Sequence, residues 1–179
     1  MIKRKIIVTL FPILVFSADL PQLTLEVNNP WDSSISKDEM TGDLSAYASS
    51  SVIRPTKRMA FPYGDTKGWL GVGCDGTSEW VYVGFTNAPN LNDTEIEQGY
   101  NLITTRIKWD DKVENISLTQ DWGSKFLHFR DDSNIIQKIT KSNSVLLELN
   151  WHGQGKTYFK FSLSKSSAAL DKIRNECKN

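Results

Sequence analysis

The chain has 179 residues, 39% of them hydrophobic, and its 21 Lys and Arg residues balance 21 Asp and Glu residues. Length and apolar content together predict one globular domain with a buried core. The zero net charge excludes a nucleic-acid binder that depends on bulk positive charge. The two Cys residues, 103 positions apart, and the two His residues, 24 positions apart, lack the spacing of a zinc finger. Two Cys are too few for an all-cysteine iron–sulfur protein or a dense disulfide scaffold.

Residues 1–17 have the pattern of a secretory signal peptide. Lys3, Arg4 and Lys5 precede an apolar run of about 11 residues, and small residues follow at positions 17 and 18. The run is shorter than the ~20 residues that a membrane-spanning helix needs. We therefore expect cleavage near Ser17, a periplasmic or secreted protein, and no stable membrane span after cleavage. A buried N-terminal strand or a retained anchor is the alternative.

The next segment, residues 18–43, is polar and rich in turn-forming residues, which predicts a linker or N-terminal arm. From residue 44 to 179 we expect a single domain in which most segments alternate apolar and polar residues, as half-buried strands do. The faces predicted to be buried are Leu70, Val72 and Cys74; Val81, Val83 and Phe85; Ile103, Ile107 and Trp109; Val145, Leu147, Leu149 and Trp151; and Phe159, Phe161 and Leu163. Shorter strands are predicted within 44–52, 113–119 and 125–129.

Two segments switch to helical spacing. Ile135, Ile136 and Ile139 form an apolar stripe after a run of capping residues, and a second stripe runs from Ser166 to Cys177. Hairpin turns are predicted at residues 110–111 and 153–155. The combination predicts a mainly β protein, an antiparallel β-sandwich of about eight strands with a short internal helix and a C-terminal helix.

The two cysteines predict a disulfide. An oxidising compartment favours a bond between Cys74 and Cys177. Cys74 shares the apolar face of its strand with Leu70 and Val72, and Cys177 lies on the apolar stripe of the last helix. Both thiols are therefore expected to point into one core, where a bond would tie the last helix to the sheet. Two buried free thiols are the alternative.

Residue patterns for catalysis are missing from the sequence. His128 and His152 lie in no recognisable motif, and neither histidine spacing nor the acidic pairs at 110–111 and 131–132 specify a metal site. We expect a hairpin tip at the first acidic pair and a helix cap at the second. No enzymatic activity, catalytic residue, metal or cofactor is therefore predicted.

The tryptophans divide by the face of the strand on which they lie. Trp109 and Trp151 share a face with apolar neighbours, so we assign them to the core. Trp69, Trp80 and Tyr82 lie on the opposite faces of their strands and are the candidates for a surface that binds a partner, because exposed aromatic side chains anchor many interfaces. A neighbouring layer could instead cover them.

The order of these motifs resembles the TagO or VasI family of accessory proteins of bacterial type VI secretion. The resemblance covers residues 31–177. It begins with a tryptophan-led segment, residues 31–42, whose S-x-D-x-M-T pattern includes Asp38, Glu39, Met40 and Thr41. A strand that ends in cysteine follows at 70–74, and two middle strands follow at 105–110 and 122–127. A C-terminal motif that ends in cysteine covers residues 161–177. A lipid-bearing cysteine is absent, and the family offers no catalytic residues to transfer.

This resemblance implies an exported, non-enzymatic accessory factor that contacts a protein of the envelope or of the secretion apparatus. The stretch Asp38–Thr41 then joins the aromatic candidates as a partner-binding segment. Three alternatives stay open. One is a stand-alone or phage-encoded envelope protein with an inhibitory, immunity or exclusion role. The second is a glycan-binding module that uses Trp80 and Tyr82, and the third is a hydrolase with an unrecognised site.

Overall fold

The computed structural model describes residues 30–177. The predicted signal peptide, residues 1–17, and residues 18–29 of the predicted arm lie outside the described residues. Twelve elements follow in chain order: β1 (Trp31–Lys37), β2 (Leu44–Ser50), β3 (Gly68–Cys74), β4 (Glu79–Phe85), β5 (Thr94–Glu97), β6 (Tyr100–Trp109), β7 (Lys112–Gln120), β8 (Phe126–Phe129), α1 (Asp132–Lys141), β9 (Ser144–Trp151), β10 (Gly155–Ser162) and α2 (Ser166–Cys177).

The strands form one antiparallel sheet in the order β1-β2-β3-β4-β8-β7-β6-β9-β10, and β5 pairs with the free part of β6. The sheet folds on itself, so that its two halves enclose the core. Phe85 of β4 packs against Trp151 of β9 and Phe159 of β10, with ring centroids 5.6 and 5.2 Å apart. The prediction of a mainly β, antiparallel fold is confirmed, with ten strands among residues 30–177 in place of about eight.

Alternation along the strands decides which side chains enter the core. Every residue assigned from the sequence to an apolar face in the five long patterns is buried. Both predicted hairpin turns are present, at 110–111 between β6 and β7 and at 152–154 between β9 and β10. Burial of these faces provides the main driving force for the fold, because each large apolar side chain contributes roughly 1.5–3 kcal/mol when it leaves water.

Helix α1 fills a gap in the sheet. Strand β8 is only four residues long, and beyond it β4 and β7 have no strand between them. Asp132, in the first turn of α1, accepts a hydrogen bond from the backbone N–H of Val81 at 2.7 Å and so satisfies the edge of β4. Ile135, Ile136 and Ile139 are buried as predicted, and Asp131 caps the helix by accepting from the N–H of Asn134 at 3.3 Å.

Helix α2 is tied to the β3–β4 hairpin by two different bonds. The predicted disulfide is confirmed: the sulfurs of Cys74 and Cys177 are 2.01 Å apart. The guanidinium of Arg174 donates to both carboxylate oxygens of Glu79, at 2.5 and 2.8 Å. Ala169, Leu170 and Ile173 of this helix are buried in the core. The C-terminal helix is therefore part of the folded core.

The predicted arm differs from the structure at residues 31–37. This segment is strand β1, which pairs with β2 from Trp31 opposite Ser50 to Lys37 opposite Leu44. Trp31 is 1% exposed, and its indole N–H donates to the carbonyl of Ser162 at 2.8 Å. A polar sequence forms a strand here because β2 supplies the hydrogen-bond partners and one buried tryptophan anchors the segment.

Candidate functional site

Six ring-bearing side chains project from the outer surface of β2, β3, β4 and β8. We call this surface the aromatic face; its members are Tyr47, Trp69, Trp80, Tyr82, Phe126 and His128. Strand register places them side by side, since Tyr47 and Trp80 both lie opposite Gly73, Tyr82 lies opposite Gly71 and His128, and Gly84 lies opposite Trp69 and Phe126. Residues directly opposite in a sheet project to the same side, so all six belong to one surface.

Three of the rings lie over glycines of the neighbouring strand. A Cβ atom built on Gly73 would come within 2.4 Å of the Trp80 indole, one on Gly71 within 2.3 Å of the Tyr82 ring, and one on Gly84 within 2.3 Å of the Trp69 indole. These glycines are themselves buried. Any larger residue would push the rings off the sheet, so the glycines hold the aromatic side chains close to the backbone.

Two further rings stand at steep angles to this layer. Phe126 meets Trp69 at an interplanar angle of 85° and Tyr82 at 78°, with centroids 6.1 and 5.6 Å apart. Tyr47 meets Trp80 at 75° and 6.1 Å. Edge-to-face contacts of this kind are favourable and fix the mutual orientation of the rings. The orientations of the rings are therefore fixed before any partner binds, and standing rings project beside rings that lie flat on the sheet.

The rings are only partly covered. Trp69, Trp80, Tyr82 and Tyr47 are half-buried, and Phe126 is 39% exposed. Burial raises the pKa of the Tyr82 phenol, although a side-chain hydrogen bond with Trp69 opposes that shift. The phenol consequently stays protonated at neutral pH. It adds a hydrogen-bonding hydroxyl to an otherwise apolar surface.

The predicted segment Asp38–Thr41 forms the turn between β1 and β2. The Asp38 carboxylate accepts from the backbone N–H groups of Met40 at 2.7 Å and Thr41 at 2.9 Å, and these hydrogen bonds, that of Thr41 first, hold its pKa below the ordinary value. Gly42 completes the turn with a φ of +82°, a region that glycine adopts without strain. The S-x-D-x-M-T pattern is thus explained locally, by a hairpin turn.

This turn does not join the ring layer, but it lies at the same end of the sheet. Ala46 lies opposite Cys74, so the β1–β2 and β3–β4 turns lie at the same end of the strands. Trp80 is the ring nearest that end. Met40 is 94% exposed and Glu39 is exposed. They extend the apolar and acidic surface available beside the aromatic face.

The sequence predicted the core tryptophans correctly but identified only some members of the aromatic face. Trp109 and Trp151 are 4% and 0% exposed, as assigned. Phe126 and Tyr47 were missed as surface residues, although both lie on the outward parity of their strands. Their position beside Trp69 and Trp80 follows from the strand order, which alternation along one strand does not reveal.

The histidines lie apart. His128 stands next to Tyr82 on the aromatic face, with centroids 6.4 Å apart. His152 follows β9, where its Nδ1 lies 3.0 Å from the amide oxygen of Asn92. Within residues 30–177 neither imidazole is hydrogen-bonded to a hydroxyl or a carboxylate, and no cluster of three or more His, Cys, Asp or Glu residues could hold a metal ion. Asp110 lies in the turn between β6 and β7, with a φ of +47°, and Asp131 caps α1, both as predicted.

Comparison of the chain with protein-family models, with curated proteins and with solved structures finds no match. Over the described residues, neither helix has the length and the apolar character required to cross a membrane. The functional interpretation therefore depends on the surfaces of the molecule.

Proposed function

We propose that this protein is an exported, non-enzymatic binding protein that contacts another protein of the bacterial envelope through its aromatic face. One observation supports this proposal above the others: a layer of three glycine-backed rings, flanked by standing rings, stays partly open to solvent. Rigid aromatic side chains are frequent anchors of protein interfaces, because they bury large areas at low entropic cost.

The resemblance to type VI secretion accessory proteins supplies the proposed context, a partner in the envelope or in the secretion apparatus. The disulfide supports an oxidising compartment such as the periplasm, since such bonds persist there and are rare in the cytosol. An accessory factor of this kind needs a rigid scaffold and a contact surface. It needs no acid, base or nucleophile.

Site-specific photo-crosslinking tests the proposal. A photoreactive phenylalanine analogue placed at Phe126 should capture a defined envelope protein in living cells. The same analogue at Phe61, which is 94% exposed in the loop between β2 and β3, is the matched control and should not capture that protein. Trp80→Ala should abolish the crosslink from position 126. Equal capture from both positions would contradict the proposal.

A neutral glycan is the second candidate, and the ring geometry favours it specifically. Rings held close over glycines can stack on the apolar face of a sugar, and the hydroxyls of Ser34, Ser49 and Tyr82 project from the same surface. Calorimetric titration with neutral hexasaccharides of glucose and of N-acetylglucosamine distinguishes the two. Saturable binding that Trp80→Ala removes would favour the glycan over the protein partner.

A further inference from the structure

The other half of the sheet has an outer surface of opposite character. On β6, β9 and β10 the outward positions carry four cations, Arg106, Lys108, Lys156 and Lys160, which we call the basic face. Strand register aligns them: Lys108 lies opposite Leu146, which lies opposite Lys160, and the next row contains Arg106, Glu148 and Tyr158. The whole chain has no net charge, so this concentration of positive charge is local.

A single carboxylate shares the outward positions of these strands, and it is largely neutralised. Glu148 accepts from the Arg106 guanidinium at 3.0 and 2.5 Å and lies 3.5 Å from the ammonium of Lys156. Its side chain is 12% exposed, whereas those of Arg106 and Lys156 are 51% and 60% exposed. The acid is therefore covered by the cations that pair with it, and the excess positive charge faces solvent.

The surrounding acids leave this excess in place. Asp111, in the β6–β7 turn, lies 3.5 Å from the ammonium of Lys108 and is fully exposed. Glu95 and Glu97 project from β5 at the opposite end of β6, where Glu97 pairs with Arg130. At that end of β9 the Asp93 carboxylate accepts from the side-chain amide of Asn150, beside Lys156. The middle of the face thus keeps more cations than anions. Solvent screening weakens each exposed pair, yet a cluster of like charges still attracts a polyanion.

The cations form two rows with a lane between them, strand β9, whose outward residues are Leu146, the ion-paired Glu148 and Asn150. Arg106 and Lys108 lie on β6, Lys156 and Lys160 lie on β10, and β9 runs between. Strand spacing puts the rows about 10 Å apart. Arg106 and Lys108 are successive outward residues and lie about 7 Å apart, whereas Lys156 and Lys160 have Tyr158 between them and lie about 14 Å apart. A depression of about 150 Å³ opens at one side of the lane, with Leu146 and Val113 among its lining residues. Val113 is 55% exposed.

We propose that the basic face binds an extended acidic segment of a protein partner, which lies along β9. Alternate side chains of an extended peptide are about 7 Å apart on each side, so carboxylates two residues apart on one edge of the segment would meet Arg106 and Lys108. Carboxylates four residues apart on the other edge would meet Lys156 and Lys160. An apolar side chain of the segment would enter the depression. The depression favours such a segment over a flat anionic bilayer, which would leave it empty.

The probe for this proposal is a fluorescein-labelled peptide of consecutive Glu residues, which carries carboxylates on both edges when extended, and binding is followed by fluorescence anisotropy. The double variant Lys108→Glu/Lys160→Glu should weaken its binding by at least about tenfold, as expected for reversal of charges at an interface. The matched control Lys141→Glu/Lys172→Glu changes net charge equally at exposed helical positions away from the face. It should change binding by less than about twofold.

Several outcomes would overturn the proposal. If both double variants weaken peptide binding equally, binding depends only on the net charge of the protein. If a peptide with Gln in place of Glu binds equally well, the face does not recognise carboxylates. Failure of the acidic peptide to bind, or binding of phosphatidylglycerol vesicles in its place, would also reject it. Trp80→Ala should leave peptide binding unchanged, so this experiment is independent of the aromatic face.

Discussion

The indole N–H of Trp31 donates to the carbonyl of Ser162 at 2.8 Å, and so joins the first strand to the last across 131 positions of sequence. β1 and β10 are the two ends of the sheet order. The contact therefore joins the two edge strands of the sheet, and the buried indole ring of Trp31 fills the core between them.

Trp31→Ala should therefore destabilise the protein by about 3–5 kcal/mol, because it leaves a large cavity and removes the bond between the edges. The measurement is urea unfolding followed by circular dichroism. Trp122→Ala is the control, since that side chain is 66% exposed in the β7–β8 turn and should change stability by less than about 0.5 kcal/mol. Similar losses in both variants would argue against this closure.

Loss of the disulfide should lower stability without unfolding the sheet. The bond links residues 103 positions apart, and removal of a long covalent loop costs about 2–5 kcal/mol through the entropy of the unfolded chain. Cys177→Ser should show this loss, together with faster hydrogen exchange in α2 than in β6. Peptide mapping without reductant should find one linked pair in the wild type. Unchanged stability in Cys177→Ser would contradict a structural role for the bond.

Gly73→Ala should disturb the aromatic face directly. The new methyl group would lie 2.4 Å from the Trp80 indole, so the ring must move, at a cost of about 1–3 kcal/mol. Tryptophan fluorescence should report the displacement. In the double variant Gly73→Ala/Trp80→Ala the penalty should be less than additive, because the clashing ring is gone. Gly64→Ala, whose nearest neighbour would be 3.5 Å away, is the control.

The ion pair between Arg106 and Glu148 should make the stability of the fold depend on pH. The hydrogen bond from Arg106, together with nearby positive charge, lowers the pKa of Glu148 below its ordinary value despite some desolvation. A carboxylate with a lowered folded-state pKa stabilises the fold above its unfolded pKa of about 4.3, and the contribution disappears as pH falls through the folded value. Unfolding measured from pH 7 to pH 3 should therefore lose less stability in Glu148→Gln than in the wild type. Parallel curves would refute this contribution.

His152→Gln should retain function, because His152 follows β9 and is not part of the aromatic face. Among the described residues, the side-chain partner of the His152 imidazole is the amide oxygen of Asn92 and not a hydroxyl or a carboxylate, so His152 is not placed for proton transfer to a nucleophile. Complementation of a deletion strain is the measurement, and thermal unfolding shows whether the variant is folded. A folded but inactive variant would return a hydrolase or a metal site to consideration.

The sequence by itself determined the inward faces of the long strands and the apolar stripes of both helices. Alternation along one segment fixes which residues share a side, and the most apolar side is the one that leaves water. The same local rule oriented Cys74 and Cys177 toward one core. Asp110 and Asp131 were recognisable too, because turns and helix caps depend on neighbouring residues.

Only the tertiary structure decided which strands lie side by side. The segment Trp31–Lys37 lacks apolar alternation and forms a strand because β2 pairs with it. Tyr47 and Phe126 join the rings of β3 and β4 through the order β2-β3-β4-β8, and the two rows of cations arise because β9 lies between β6 and β10. Both surfaces combine residues far apart in the chain, and hydrogen bonding between distant strands, which no local pattern specifies, brings them together.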